Sequence, residues 1–130
     1  MHDKQIRSIA LCGAVLCLLA VAIGAFGAHA FKELLINNQR QDVFDLANRY
    51  QFYHGLALIL IAALFGRTSS SPKLGLISRL MLLGTLVFCC SLYLLALLNL
   101  TWLGAVTPIG GALLIVAWGL LVKKIFQTTV

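Results

Sequence analysis

Four long apolar runs constrain this chain more than any other feature of its sequence. They cover residues 8–30, 50–66, 76–98 and 108–126. A helix needs about 20 apolar residues to cross the hydrocarbon core of a bilayer, and each run supplies about that number. Because 61% of the 130 residues are hydrophobic and only 11% are charged, too little polar sequence is left to coat a soluble globule. The sequence therefore predicts one all-α membrane domain over residues 1–130, a bundle of four spanning helices.

The distribution of positive charge predicts how this bundle is oriented. The net charge is +6, but the ten Lys and Arg residues lie near the ends of the runs rather than in one stripe. This placement favours membrane orientation over nucleic-acid binding. Seven of the ten lie before the first run, around the second connection or at the end of the last run, and the other three lie in the first connection. Both termini are therefore expected in the cytoplasm, with the first run, which is too long for a cleaved signal segment, retained as a span.

The connections between the runs carry local structural signals. The first connection, residues 31–49, has an amphipathic pattern with Asp42 as a candidate N-cap, which predicts a short interfacial helix running into the second span. A lid or a docking surface is the alternative role for that helix. Residues 67–72, rich in serine, predict a turn. Thr107 and Pro108 read as an N-cap followed by proline at the first helical position, which predicts the start of the fourth span.

Small residues recur at three- and four-residue steps along the first run and cluster at the start of the fourth. Another helix can approach closely along such a stripe, and this close approach supplies much of the association energy of helices in lipid. The predicted packing positions are Gly13, Ala20, Gly24, Ala28, Gly110 and Gly111.

Polar side chains gather at the end of the bundle opposite the predicted cytoplasmic side. We call this set the outer polar residues, and it comprises His29, Tyr50, Gln51, His54, Ser91, Tyr93 and Thr107. Ionisable groups at membrane depth are costly and so raise a functional hypothesis, an outward-facing polar vestibule that binds a ligand, with His29 and His54 as neighbours. The favoured interpretation is that these side chains lie at the membrane–water interface and form hydrogen bonds with backbone or water.

Three functions fit this pattern. The first is a non-enzymatic subunit or binder, with membrane lipid, another membrane protein or a second copy as partner. The second is transport of a small solute or protons by an oligomer, and the third is a haem or metal site held by His29 and His54. A catalytic role is not expected, because the sequence has no phosphate-binding loop or zinc-protease motif and only four acidic residues, none within a run. No cofactor is expected for the first and favoured function.

Cysteine usage adds no site to these candidates. Cys12, Cys17, Cys89 and Cys90 all fall inside apolar runs, and the spacing within each pair points the side chains to different helix faces. Free, buried thiols are therefore expected rather than a disulfide or a metal clamp.

Several ordered motifs give the chain a family resemblance. They are residues 24–30 (Gly-Ala-Phe-Gly-Ala-His-Ala), 50–54 (Tyr-Gln-Phe-Tyr-His), 91–93 (Ser-Leu-Tyr) and 107–111 (Thr-Pro-Ile-Gly-Gly), together with Trp118. In these motifs the chain resembles the YgdD-like small inner-membrane proteins over nearly its whole length. The resemblance implies a four-span bacterial inner-membrane protein of an uncharacterised family, with no reaction or substrate attached. One departure is visible in the two cysteines before the third motif, where relatives tend to have a small residue such as glycine.

Overall fold

The computed structural model describes residues 2–66 and 72–128, and every regular element within these ranges is a helix. The all-α prediction is therefore confirmed for the described residues. Five α-helices and one 3-10 helix follow one another through these described ranges: α1 His2–Ala28, α2 Lys32–Asn37, α3 Gln41–Phe65, α4 Pro72–Leu98, the 3-10 helix Thr101–Ala105 and α5 Thr107–Thr128.

Within the part of the chain that the structure describes, three stretches of helix are long and apolar enough to cross a membrane. They are Asp3–Ala28, Pro72–Leu98 and Thr101–Gln127. Helix α3 is of similar length, at 25 residues, but its N-terminal half carries charged and polar side chains that lower its hydropathy. Length and composition therefore identify three membrane-length apolar helices, whereas α3 is long enough but more polar.

The long helices pack in chain order. Helix α1 lies along α3, α3 lies along α4, and α4 lies along α5, whereas α1 and α4 touch only sparingly. Gly13 of α1 lies against Gly55 of α3, while Gly27 lies against Phe44, so these two helices run antiparallel. Helix α3 is therefore placed between α1 and α4, and this arrangement determines which side chains meet.

A single apolar cluster of buried residues joins the four long helices. Leu58 and Ile61 of α3 are 1% exposed, Met81 of α4 is 0% exposed, and Ala117 of α5 is 0% exposed. Ile9 and Leu16 of α1 complete the cluster. Since interiors of this density leave little room for added volume, helix spacing depends on the small residues at the contacts.

Most of the predicted packing positions lie at helix contacts. A Cβ added at Gly13 would lie 2.5 Å from the carbonyl oxygen of Gly55, and one at Gly24 would lie 2.8 Å from Oδ1 of Asn48. Gly110 faces the backbone of Phe88, where an added Cβ would lie 2.7 Å from Cα, and Ala20 is 1% exposed.

Two of the predicted packing positions lie elsewhere. Ala28 is exposed, and its neighbour Gly27 meets Phe44 instead. Gly111 has room, because an added Cβ would be 3.8 Å from the Phe88 ring. At these two positions the prediction of tight packing is wrong, since one residue of helix rotation moves a side chain by about 100°.

The connection after α1 differs from its prediction. It contains the short helix α2, and α3 begins at Gln41 and continues without a break to Phe65, so the predicted interfacial helix is the first part of α3. Asp42 lies inside α3 rather than at its N-cap, which is Arg40. The reason is that the apolar stripe of this segment is buried, with Phe44 1% and Ala47 0% exposed, and does not rest on a membrane surface.

The other connections are brief. The predicted turn at residues 67–72 lies outside the described residues except for Pro72, the first residue of α4. Helix α4 ends before Asn99, which has a φ of 52°, a left-handed conformation that asparagine tolerates better than most residues. Thr107 begins α5, but its hydroxyl donates back to the Leu103 carbonyl at 3.2 Å rather than capping the helix.

The contact between α1 and α3 yields a stability prediction. We expect Gly13→Ala to lower the free energy of unfolding by about 1–3 kcal/mol, because its methyl group would press on the Gly55 backbone, which cannot rotate away. Gly119→Ala in α5 is the matched control, since nothing lies within 4 Å of its added Cβ and alanine has the higher helix propensity. Thermal unfolding of both variants in detergent measures the difference. Equal midpoints would contradict the close helix contact.

Candidate functional site

A hydrogen-bonded cluster of three side chains links α1, α3 and α4 between the membrane-length helices. We call Asn48, Gln51 and Tyr93 the amide–tyrosine cluster. The Tyr93 hydroxyl donates to Oε1 of Gln51 at 2.8 Å and lies 3.1 Å from Nδ2 of Asn48, which donates to it. Both amides also reach α1, with Nε2 of Gln51 donating to the Leu16 carbonyl at 3.0 Å and Nδ2 of Asn48 to the Ala20 carbonyl at 2.7 Å. Three helices are thus joined by four hydrogen bonds.

The histidine of α3 is bonded on both ring nitrogens. Nδ1 of His54 lies 2.7 Å from the Tyr50 carbonyl oxygen, and the indole Nε1 of Trp118 donates to Nε2 at 3.2 Å. Because a carbonyl only accepts and an indole N–H only donates, the partners assign the neutral tautomer with its hydrogen on Nδ1. His54 is 6% exposed. A ligand would have to break the Trp118 bond to reach this imidazole.

The two aliphatic hydroxyl groups among the outer polar residues, on Ser91 and Thr107, meet where α4 approaches α5. Oγ of Ser91 lies 2.8 Å from Oγ1 of Thr107, and each hydroxyl also has a backbone carbonyl of its own helical turn within reach. Ser91 is 4% exposed. This pair ties the two helices together, and among the described residues neither hydroxyl is hydrogen-bonded to an acidic or basic side chain that would activate it as a nucleophile.

The remaining two outer polar residues are exposed. The ring of Tyr50 stacks on Phe88 with centroids 5.0 Å apart. His29 follows the last residue of α1 and is exposed. Along the antiparallel contact of α1 with α3, His29 is level with the start of α3, and His54 lies about 18 Å away along the axis at 1.5 Å per residue.

The prediction that His29 and His54 are neighbours is therefore wrong. The same separation removes the ligand pair on which the haem or metal hypothesis depended. Within residues 2–66 and 72–128, no three or more His, Cys, Asp or Glu side chains group closely enough to hold a metal ion. The four cysteines are free thiols, as the sequence predicted.

The outer polar residues consequently behave as interhelical links more than as the walls of an open vestibule. Five of the seven, together with Asn48, form hydrogen bonds to one another or to the backbone of a neighbouring turn or helix. In a membrane such bonds stabilise helix association because no water competes for the groups. Below them the apolar cluster closes the bundle, so a single copy offers no polar path there among the described residues. Transport by an oligomer stays a prediction.

Sequence reasoning missed the central member of the cluster, Asn48. The signal was present, because Phe44, Asn48, Gln51 and Gly55 follow three- and four-residue steps and so share one face of α3. An asparagine on the buried stripe of a helix requires a partner. Asn38 was missed as well, and its amide donates to the carbonyls of Ala96 and Leu97 at 3.0 and 3.2 Å, near the end of α4.

A cavity of about 510 Å³ opens at the other end of the molecule, between α1 and α4. We call it the basic cavity. Two cations and three uncharged polar side chains line it: Lys4, Gln5, Ser8, Ser78 and Arg79. Its apolar lining includes Ile9, Leu58 and Leu82. The cavity exists because α1 and α4 flank α3 without packing closely on each other.

A second, smaller cavity of about 230 Å³ lies between α4 and α5 at the same end. Lysine again supplies its charge, from Lys73, Lys123 and Lys124. Lys124 also lies over the ring of Phe65, with Nζ 5.3 Å from the centroid. The open, cation-lined spaces of this end contrast with the hydrogen-bonded outer polar residues.

Comparison with known proteins gives the family. Residues 23–111 match the model of a protein family of unknown function, DUF423. A UPF0382 membrane protein of Staphylococcus haemolyticus is 41% identical over 115 residues, which cover 88% of this chain and 92% of the relative. The UPF0382 membrane protein YwdK of Bacillus subtilis is 36% identical over 110 residues, covering 85% of this chain and 89% of the relative. No solved structure matches.

The apolar helices and these relatives define a small helical integral membrane protein. The chain belongs to the DUF423 family, whose function is unknown. The expectation of an uncharacterised membrane-protein family is thereby confirmed, while the YgdD-like designation stays a prediction.

The amide–tyrosine cluster yields a second stability prediction. We expect Tyr93→Phe to lower the free energy of unfolding by about 0.5–2 kcal/mol, because it removes the hydroxyl that joins Gln51 to Asn48 and leaves a buried amide oxygen unpaired. Tyr53→Phe makes the same chemical change on an exposed side chain and should have little effect. Thermal unfolding in detergent compares the two. A Tyr93→Phe variant as stable as the Tyr53→Phe variant would contradict a structural role for the cluster.

Proposed function

We propose that this chain is a four-span protein of the bacterial inner membrane, with both termini in the cytoplasm, and that it acts by binding a lipid or another membrane protein. Catalysis is not part of the proposed role. The observation that carries the proposal is the pair of open, cation-lined cavities between helices at the end opposite the outer polar residues. Five of the outer polar residues are engaged in hydrogen bonds with one another or with backbone and so hold the helices together.

Helix α3 is proposed as a span in addition to the three membrane-length helices, which makes four in all. Its 25 residues extend about 37 Å, enough to cross a hydrocarbon core of about 30 Å. The amide and imidazole groups of Asn48, Gln51 and His54 form hydrogen bonds within the protein, so lipid does not have to solvate them. Its position between α1 and α4 supports the same conclusion.

The charge distribution supports the proposed orientation. With four antiparallel spans, the N-terminus, the connection at residues 67–71 and the C-terminus share one side. Seven of the ten Lys and Arg residues lie at or near these segments, as the positive-inside rule requires of a cytoplasmic side. The three others lie at residues 32, 40 and 49, on the opposite side.

Reporter fusions test span number and orientation together. We expect green fluorescent protein fused after Val130 to fluoresce and alkaline phosphatase at that position to be inactive, because the first requires the cytoplasm and the second the periplasm. Phosphatase inserted after Gln39, between α2 and α3, should be active. Inactive phosphatase at Gln39 combined with active phosphatase at the C-terminus would show that the orientation is the opposite of the one proposed. Opposite locations for the N- and C-termini would reduce the span count to three.

Affinity extraction from native membranes tests the binding role. We expect the chain, extracted in polymer-bounded membrane discs, to retain a lipid class or a protein at higher abundance than an unrelated four-span protein of the same membrane extracted in parallel. Mass spectrometry of lipids and proteins measures the enrichment. A composition identical to that of the control would refute the binding role.

A further inference from the structure

We infer that the basic cavity binds the phosphate-bearing headgroup of an anionic phospholipid. This inference rests on the proposed binding function and deepens it by naming the ligand class and the site. The cavity combines cations, hydrogen-bond donors and an apolar lining in one space at the end of a membrane bundle. Those are the three features that a lipid headgroup with the first part of its acyl chains requires.

The cations of the cavity are available to a ligand. Lys4 and Arg79 are exposed, one on α1 and the other on α4, and within the described residues neither has an acidic partner. The only acidic residue of this end is Asp3, against six described bases: Lys4, Arg7, Lys73, Arg79, Lys123 and Lys124. Two positive charges lining one cavity with so little local compensation favour an anion.

Uncharged donors complete the polar side of the cavity. The Gln5 amide lies at the wall beside Gly75, where an added Cβ would approach its Nε2 to 2.7 Å, so glycine makes room for this side chain. The Ser8 hydroxyl is exposed and can donate to a ligand, whereas the buried Ser78 hydroxyl already donates to the Leu74 carbonyl at 2.7 Å. An arginine fork, an ammonium group and an amide together match the oxygens of a phosphodiester.

The apolar side of the cavity selects a lipid over a soluble phosphate. Ile9 and Leu58 are buried core residues of α1 and α3, and Leu82 extends the apolar surface along α4. The volume of about 510 Å³ lies within the usual range of small-molecule sites and exceeds what a phosphate group alone would fill. Anionic lipids are attracted to basic segments at the membrane surface, where each Lys or Arg strengthens binding.

The test is a native mass spectrometry titration of the purified chain in detergent. The probes are phosphatidylglycerol and phosphatidylcholine with identical acyl chains, so that only the headgroup charge differs. We expect a preference for phosphatidylglycerol that falls about fivefold in Arg79→Gln. Arg7→Gln is the matched control, because it removes the same charge from the same end at a residue that does not line the cavity.

A second variant tests whether lipid binding requires the open space of the basic cavity as well as its charge. Ser8→Trp keeps both cations and fills the cavity from an exposed position, so it should also abolish the preference. Thermal unfolding of each variant shows that it is folded. Equal losses in Arg79→Gln and Arg7→Gln would reduce the effect to general surface charge and overturn the inference, as would a preference that survives Ser8→Trp. Displacement of phosphatidylglycerol by millimolar inorganic phosphate would identify a soluble anion as the ligand instead.

The outcomes distinguish this inference from the broader proposal. If the chain shows no headgroup preference in the titration but retains a protein or a neutral lipid from native membranes, the cavity inference fails and the binding function stands. If native membranes yield no enrichment and the titration shows no preference, both fail.

Discussion

Polar groups at membrane depth must find their partners inside the protein, and the rest of this structure depends on that constraint. The amide–tyrosine cluster satisfies it across three helices. Because both amides bond to carbonyls of α1 and both meet the Tyr93 hydroxyl of α4, the rotation of α3 about its axis is set from two sides. With α3 held in this way, His54 is directed to Trp118 and the apolar face of α3 is directed to the core.

Close backbone approach makes these bonds geometrically attainable. An asparagine side chain is short, and it reaches the Ala20 carbonyl at 2.7 Å because α1 lies close to α3, with Gly24 leaving room for Asn48. Small residues and polar residues thus act together, since the first bring the helices close and the second bond across the short gap. This cooperation is expected in lipid, where burial of apolar surface does little to drive helices together.

The two ends of the bundle differ in whether their polar side chains are hydrogen-bonded to one another. At the end that carries the outer polar residues, polar bonds join each helix to a neighbour. At the basic end α1 and α4 flank α3 with few contacts between them, and the space between them is lined by Lys4 and Arg79, which have no acidic partner among the described residues. Repulsion among like charges and the need to reach the membrane surface keep such side chains from closing the gap. The cations and hydrogen-bond donors of the basic cavity are therefore available to a ligand, whereas most of the outer polar residues are already hydrogen-bonded within the protein.

The sequence by itself determined the helical class and the membrane environment, because composition and the length of apolar runs are local properties. It also indicated the face of α1 that carries small residues. Only the tertiary structure decided that α3 begins at Gln41, that His29 and His54 are far apart, and that Asn48 is a central polar residue. The basic cavity likewise arises from residues 67 or more positions apart, Gln5 to Ser8 on α1 and Gly75 to Arg79 on α4. Contacts between residues so far apart in sequence depend on which helices are neighbours and on the register between them. No local sequence pattern specifies the neighbours or the register.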